Sequence, residues 1–281
     1  MNRLKLIIAT SCLLFSFTIA GAQDHQFVWK RTKMDNSRTG CKPATASNIE
    51  ESLGKMEGTV YVSPSGKKFK KGSTPKVAEL MLKAQPEMSA LKQVIAHSAA
   101  VMETEYPESA LSNWFIDELM RAVEDSTGKK VDIGITNFGG IRCPMPKGEV
   151  LLDDIMSMFP FKNNLCYVAL KGKDVRYMLD QMAATRFQVL GGMKVVAKDG
   201  KIVSAMVGDK PLDDNKVYGV ATISFLLNGG DGLSVARNAL ELDILPGYIM
   251  DTMIPYVKSL ESQGKLIEYQ KDGRVQILKE N

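Results

Sequence analysis

Three short stretches of this 281-residue chain set polar and aromatic side chains beside glycines or prolines at the ends of strand-like runs. The first is Asn137-Phe138-Gly139-Gly140-Ile141-Arg142, which follows the alternating apolar positions Val131, Ile133 and Ile135. The second is Phe159-Pro160-Phe161-Lys162-Asn163-Asn164, and the third is Phe225 followed by Asn228 and Asp231. A β-branched run that stops at a polar residue, two glycines and an arginine suits ligand delivery, because glycine permits a tight turn and close backbone approach. Taken alone, a Gly-Gly pair is more simply an ordinary strand-to-loop turn. Together the stretches suit recognition of a planar ligand. Phe161 and Phe225, on separate loops, can face each other across a base, where stacking contributes roughly 1–3 kcal/mol per base. Asp231 suits vicinal hydroxyls, since an ionised carboxylate accepts two hydrogen bonds at once. Each phenylalanine considered singly reads as core.

Several chemistries are disfavoured. There is no G-x-x-x-x-G-K-[ST] loop, no G-x-G-x-x-G after a strand and no G-x-S-x-G elbow. With only His25 and His97, the chain cannot build a histidine-rich two-metal centre. The pairs Asp153-Asp154 and Asp213-Asp214 are adjacent, so on a strand they face opposite sides, and near helix starts they serve as caps. His97 reads as a packed or surface histidine.

The elements that must position these residues belong to a globular chain. It is 44% apolar and 24% charged, enough to bury a sizeable core. Residues 1–22 read as a secretory signal: Arg3 and Lys5, an apolar run from Leu6 to Ile19, then Ala20-Gly21-Ala22. Removal of Arg3 and Lys5 takes the formal charge from +4 to about +2, which leaves no footprint for nucleic acid. No other run is long and apolar enough to span a membrane, so the expected location is exported, periplasmic or secreted. Cys41, Cys143 and Cys166 then remain and allow at most one intrachain bridge.

Residues 23–74 read as a polar, weakly structured arm, with a hairpin within 59–69 and a solvated basic turn at Lys67–Lys71. Residues 75–281 read as the domain proper. Thr74-Pro75 opens a helix over Val77–Ala84, and Leu91–His97 fits helix or strand equally. Ser109–Val123 is the clearest helix, ending near Gly128, and leads into the strand before Asn137. A helix over about 173–185, strands around 189–196 and 202–207 turning at Asp199-Gly200, and a long strand over 216–225 follow. The tail supplies a helix over 246–262 and a hairpin turning at Asp272-Gly273. Such alternation indicates mixed α/β.

Taken in order, the motifs resemble the C-terminal domain of the 5'-nucleotidase family. Asn137-Phe138-Gly139-Gly140-Ile141-Arg142 is similar to that family's N-x-G-G-I-R segment, and Phe159-Pro160-Phe161 to its P-F loop. Leu190-Gly191-Gly192 resembles its glycine before a short strand, and Phe225-Leu226-Leu227-Asn228-Gly229-Gly230-Asp231-Gly232 its F-x-x-N-G-G-D-G segment. Glu108-Ser109-Ala110-Leu111-Ser112-Asn113 is similar to its E-S-x-L-G-N helix start, and the likeness spans roughly residues 90–278.

The resemblance implies a layered α/β/β/α domain that grips a purine nucleoside or its monophosphate. Phe161 and Phe225 would sandwich the base, Asn137 would hydrogen-bond its ring, and Asp231 and Arg142 would hold ribose or phosphate. Gly139, Gly140, Gly192 and Asn228 complete the implied substrate site. In that family a separate N-terminal domain with two metals cleaves the phosphate. This sequence does not show it, so the chain is expected to bind no cofactor itself, with divalent metal only in a partner phosphatase. Glu105 stands where the family commonly has an arginine, which would shift preference toward an uncharged nucleoside. Three readings follow: a nucleoside- or nucleotide-recognition domain in nucleotide breakdown, a complete 5'-nucleotidase, and an interaction protein that keeps only the fold. The sequence identifies neither the base preferred nor the oligomeric state.

Overall fold

The computed structural model describes residues 44, 45 and 47–278. The expected signal, the start of the polar arm, His25 and Cys41 lie outside these residues. The rest of the expected arm is ordered. Helix α1 (Ile49–Leu53) leads into strands β1 (Lys55–Glu57), β2 (Val60–Val62) and β3 (Lys68–Phe69), an antiparallel three-stranded sheet. Tyr61 stacks on Phe69 with ring centres 5.9 Å apart and donates its hydroxyl to Leu53 O at 2.7 Å. Apolar contact across a short sheet thus outweighs the polar composition that suggested weak structure. Helix α2 (Ser73–Met88) starts at Ser73, with Gly72 as its N-cap and Pro75 within its first turn.

The next segment resolves the helix-or-strand ambiguity. Strand β4 (Val94–Ser98) pairs antiparallel with β6 (Gly148–Leu151). Helix α3 (Ala110–Thr127) forms where the apolar periodicity was clearest; Ser109 caps its start and Gly128 ends it in the left-handed conformation. It carries the chain to β5 (Ile133–Thr136). Then come α4 (Leu152–Met158), β7 (Leu165–Lys171), α5 (Gly172–Ala184), β8 (Val189–Gly191), β9 (Met193–Lys198), β10 (Lys201–Val207) and β11 (Lys210–Pro211). Strand β12 (Val217–Ile223), β13 (Glu241–Ile244), α6 (Ile249–Ser262) and β14 (Val275–Leu278) complete the chain. The Asp199-Gly200 turn between β9 and β10 forms as expected, both residues having positive φ.

Two sheets dominate. The larger runs β13-β7-β12-β5-β8, and the smaller β11-β10-β9-β14. The mixed α/β class expected from the alternation of elements holds. Strands β5, β7 and β12 are buried along nearly their whole length, so both faces of the larger sheet are covered. Helix α3 packs on β5, β7, β8 and β12, while α5 packs on β7 and β10. The contact of α3 is close enough that a Cβ at Gly134 would fall 2.6 Å from Ile116 Cγ1. Only glycine admits the helix at that point in the strand.

The expected terminal hairpin does not form. The amides of Asp272 and Gly273 donate instead to Oε1 of buried Glu108, at 2.7 and 3.1 Å, and Val275 N reaches Oε2 at 3.4 Å. Asn113 Nδ2 donates to the same carboxylate at 2.9 Å. Strand β14 then joins β9 in parallel, a long-range pairing that no local turn signal announces. Replacing Glu108 with Ala removes the acceptor from several sheltered donors, each costing about 1–3 kcal/mol when unsatisfied. The expected loss in chemical denaturation is about 3 kcal/mol after partial relaxation. A loss under about 1 kcal/mol would show that water replaces the carboxylate at little cost.

Candidate functional site

Strand polarity brings the three stretches together. Strands β5 and β12 are parallel neighbours, so the residues after them, 137–142 and 224–231, emerge at one edge of the sheet. Strand β7 runs antiparallel to β12, so the residues before it, 161–164, arrive at that same edge. Backbone and side-chain hydrogen bonds then tie the loops. Ser224 N donates to Asn164 O at 2.9 Å, Asn164 N donates to Ser224 Oγ at 3.1 Å, and Arg142 N donates to Met158 O at 3.0 Å. Asn164 Nδ2 also donates to Leu245 O and Gly247 O, at 3.1 and 2.9 Å.

Between these loops lies a cleft of about 480 Å³. Of the expected site residues it is lined by Asn137, Gly139, Gly140, Arg142, Phe161, Phe225 and Asp231. Lys162 and Asn163 line it too; the second stretch included both, without a role for either, and their place directly after Phe161 was the available signal. Phe161 and Phe225 are 45% and 46% exposed, whereas Phe159, two residues before Phe161, is 1% exposed and packs on Phe115 with centroids 4.4 Å apart. Phe159 is thus core, whereas the core reading fails for Phe161 and Phe225.

Polar groups are arranged around these rings. Asn137, almost fully buried, donates Nδ2 to Asp231 Oδ2 at 2.7 Å, while its Oδ1 is buried and has no hydrogen-bond partner among the described residues. One of the two Nδ2 hydrogens is thus given to Asp231, and the second remains a donor. The glycine pair makes room for that amide: a Cβ at Gly140 would lie 2.9 Å from Asn137 Oδ1. Asp231 sits in the left-handed region at φ 48°, a conformation Asp tolerates better than most residues and here held by the Asn137 hydrogen bond. Arg142 donates Nη1 to Gly139 O at 3.2 Å and places its guanidinium 5.8 Å from the Phe161 ring centre, within cation–π range. Asn163 makes no side-chain hydrogen bond among the described residues, so its amide is free to read a ligand edge.

Three expected contributors lie elsewhere. Gly192 lines a separate cavity with Asp117, Asp272 and Arg274; its φ of +68° and the 2.2 Å from its would-be Cβ to Asp132 O mark a structural turn between β8 and β9. Asn228 lines a depression with Leu227, Ser234 and Leu242 rather than the cleft. Glu105 pairs with Lys271 at 2.7 Å and does not line the cleft, so its carboxylate is no repellent for phosphate there. The adjacent carboxylates behave as caps and pairs: Asp154 Oδ2 accepts from Leu151 N at 2.7 Å, Asp213 Oδ1 accepts from Asn215 N at 2.9 Å, and Asp214 meets Arg176 at 2.7 Å. His97 pairs with Glu261 at 2.9 Å on the surface. Among the described residues Cys143 and Cys166 are both free, and burial pushes the Cys166 thiol up to about 11.

The mixed α/β domain thus gathers half-exposed aromatic rings, amides and a carboxylate around one cleft at converging strand ends. The family model of the 5'-nucleotidase C-terminal domain matches residues 89–238, and the chain belongs to that family. Protein UshA of Salmonella pullorum is 31% identical over 123 residues, which cover 42% of this chain and 21% of that protein. Cell wall protein Lmo0130 of Listeria monocytogenes is 32% identical over 185 residues, covering 59% of this chain and 23% of that protein. The 5'-nucleotidase precursor of Thermus thermophilus superimposes with a TM-score of 0.65 at 26% identity, over 79% of this chain and 46% of that one. The chain therefore spans roughly a fifth of these curated relatives and about half of the solved one.

The contact between Asn137 and Asp231 yields a pH signature. In Asn137→Asp two carboxylates would meet where one amide–carboxylate bond now stands, and like charges at that range force one pKa above the ordinary value of about 3.9. The shared proton preserves the contact below the raised pKa, and the contact is lost as pH climbs through it. The melting-temperature deficit of the variant should therefore widen between pH 4.5 and 8, by roughly 2–4 °C for each kcal/mol lost as the shared proton leaves. A deficit independent of pH would place the two side chains apart in solution.

Proposed function

We propose that this domain binds purine nucleosides and their monophosphates in the cleft, with the base between Phe161 and Phe225. The observation that carries this reading is the pair of half-exposed phenylalanines on separate loops, facing a cleft that also holds Asp231. Two flat, half-exposed ring faces on one cleft suit a planar base as their partner. Asp231, oriented by Asn137, would accept both ribose hydroxyls, and the free amide of Asn163 or the free Oδ1 of Asn137 would read the base edge. Arg142 would meet ribose or phosphate.

The chain contributes recognition, and a separate metallophosphatase would contribute phosphate cleavage. Hydrolysis of a phosphomonoester at neutral pH ordinarily needs metals to activate water and neutralise developing charge, and two histidines are too few for a histidine-rich dimetal centre. The setting would be nucleotide breakdown outside the cytoplasm, supported by the signal-like residues 1–22 and by likeness to a protein named as a cell wall protein. No helix among the described residues is long and apolar enough to cross a membrane.

Calorimetric titration of adenosine and its monophosphate should show saturable binding, with Phe161→Ala and Phe225→Ala each costing at least about 1 kcal/mol. Asp231→Ala should weaken adenosine far more than its 2',3'-dideoxy analogue, because only adenosine offers the hydroxyl pair. Unchanged affinity in both phenylalanine variants would remove the sandwich, and equal losses for the two nucleosides would remove the ribose role. Phosphate release from the monophosphate should be negligible with the isolated chain and divalent metal. Robust release would identify a complete hydrolase instead.

A further inference from the structure

We infer that Lys162 is a specificity-determining residue that biases the cleft toward phosphorylated nucleosides; the inference rests on the nucleoside-binding reading above. Lys162 follows Phe161 directly and lines the cleft together with Arg142. Two cations thus face a site whose one lining carboxylate, Asp231, already accepts the Asn137 amide. Arg142 is partly engaged, by Gly139 O and by the Phe161 ring. Lys162 makes no ion pair and no hydrogen bond among the described residues, so its three ammonium donors are available.

The backbone that carries Lys162 is held while its side chain is not. On one side of it Asn164 is bonded to Ser224, Leu245 and Gly247, and Asn163 O accepts from Ile249 N at 3.1 Å. A long side chain rooted in an anchored loop can keep its stem at the rim and extend its ammonium toward an anionic group on a ligand lying against Phe161. A compact ammonium suits phosphate as a point charge and gains nothing from an uncharged sugar. This reverses the preference suggested by Glu105, whose carboxylate is turned to Lys271 instead.

The test is calorimetric titration of the full chain with adenosine and adenosine monophosphate, at low and at high salt, for the native protein and for Lys162→Met, Lys162→Arg and Lys201→Met. Lys201 is a surface residue at the start of β10, outside the cleft. The native protein should prefer the monophosphate. In Lys162→Met the ratio of monophosphate to nucleoside affinity should fall about three- to tenfold, as expected for a charge-assisted contact at a partly exposed rim. Lys162→Arg should retain most of the ratio, Lys201→Met should leave it unchanged, and added salt should narrow the native preference. If both ligands bind the native chain through Phe161 and Phe225 but the ratio is the same in Lys162→Met, the role of Lys162 is overturned and the nucleoside reading stands. If the native chain binds neither ligand, both fall together.

Discussion

The hydrogen bond from Asn137 to Asp231 joins side chains 94 residues apart in sequence and fixes the relation between the loops after β5 and β12. Its existence depends on parallel pairing of those strands, which sends both chains out at one edge. The surrounding residues follow from it. Gly139 and Gly140 lack side chains where the Asn137 amide lies, and Asp231 accepts a left-handed backbone to present its carboxylate to that amide. Asn137 thereby gives its Nδ2 to Asp231, while its buried Oδ1 has no hydrogen-bond partner among the described residues.

A second long-range set of contacts supports the sheet system from the other end of the chain. Glu108, immediately before the cap of α3, gathers the amides of Asp272, Gly273 and Val275 and so brings β14 to β9. In the same segment Arg274 is buried and forms paired contacts to Asp117 of α3, at 2.7 and 3.0 Å, and to Asp272, at 3.0 and 2.8 Å. Planar guanidinium against carboxylate on two sides defines a single orientation of the terminal segment relative to α3. The motif Glu108–Asn113, part of the family likeness, thus has a structural use apart from the ligand.

The division between rigid frame and adaptable rim has a functional consequence. The loops of the cleft are fixed through backbone groups and short amides, whereas the groups left exposed are the two phenylalanines and the cations Arg142 and Lys162. Recognition would then involve little rearrangement, with stacking supplying most of the affinity and charge at the rim sorting ligands by their phosphate.

Local elements and the types of group in the site were legible in the amino-acid order alone. Apolar periodicity with Ser109 and Gly128 at its ends defines α3, Asp199-Gly200 defines a hairpin, and the segments 137–142, 159–161 and 225–232 carry the family likeness. These can be read because helix caps, positive-φ turns and alternation act over a few residues. Which members of each segment meet was settled by tertiary contacts. Phe159 and Phe161 are two residues apart in one motif, yet one is core and the other faces the cleft; Gly192, Asn228 and Glu105 carry fitting residue types but stand elsewhere; and Lys162 and Asn163 lie inside. The Asp272-Gly273 signal yielded to the Glu108 carboxylate, and the polar composition over 55–69 yielded to packing of Tyr61 on Phe69. The reason is common to all of these: strand polarity and side-chain facing are settled by pairing between segments far apart in the chain, and no local pattern encodes a partner at that range.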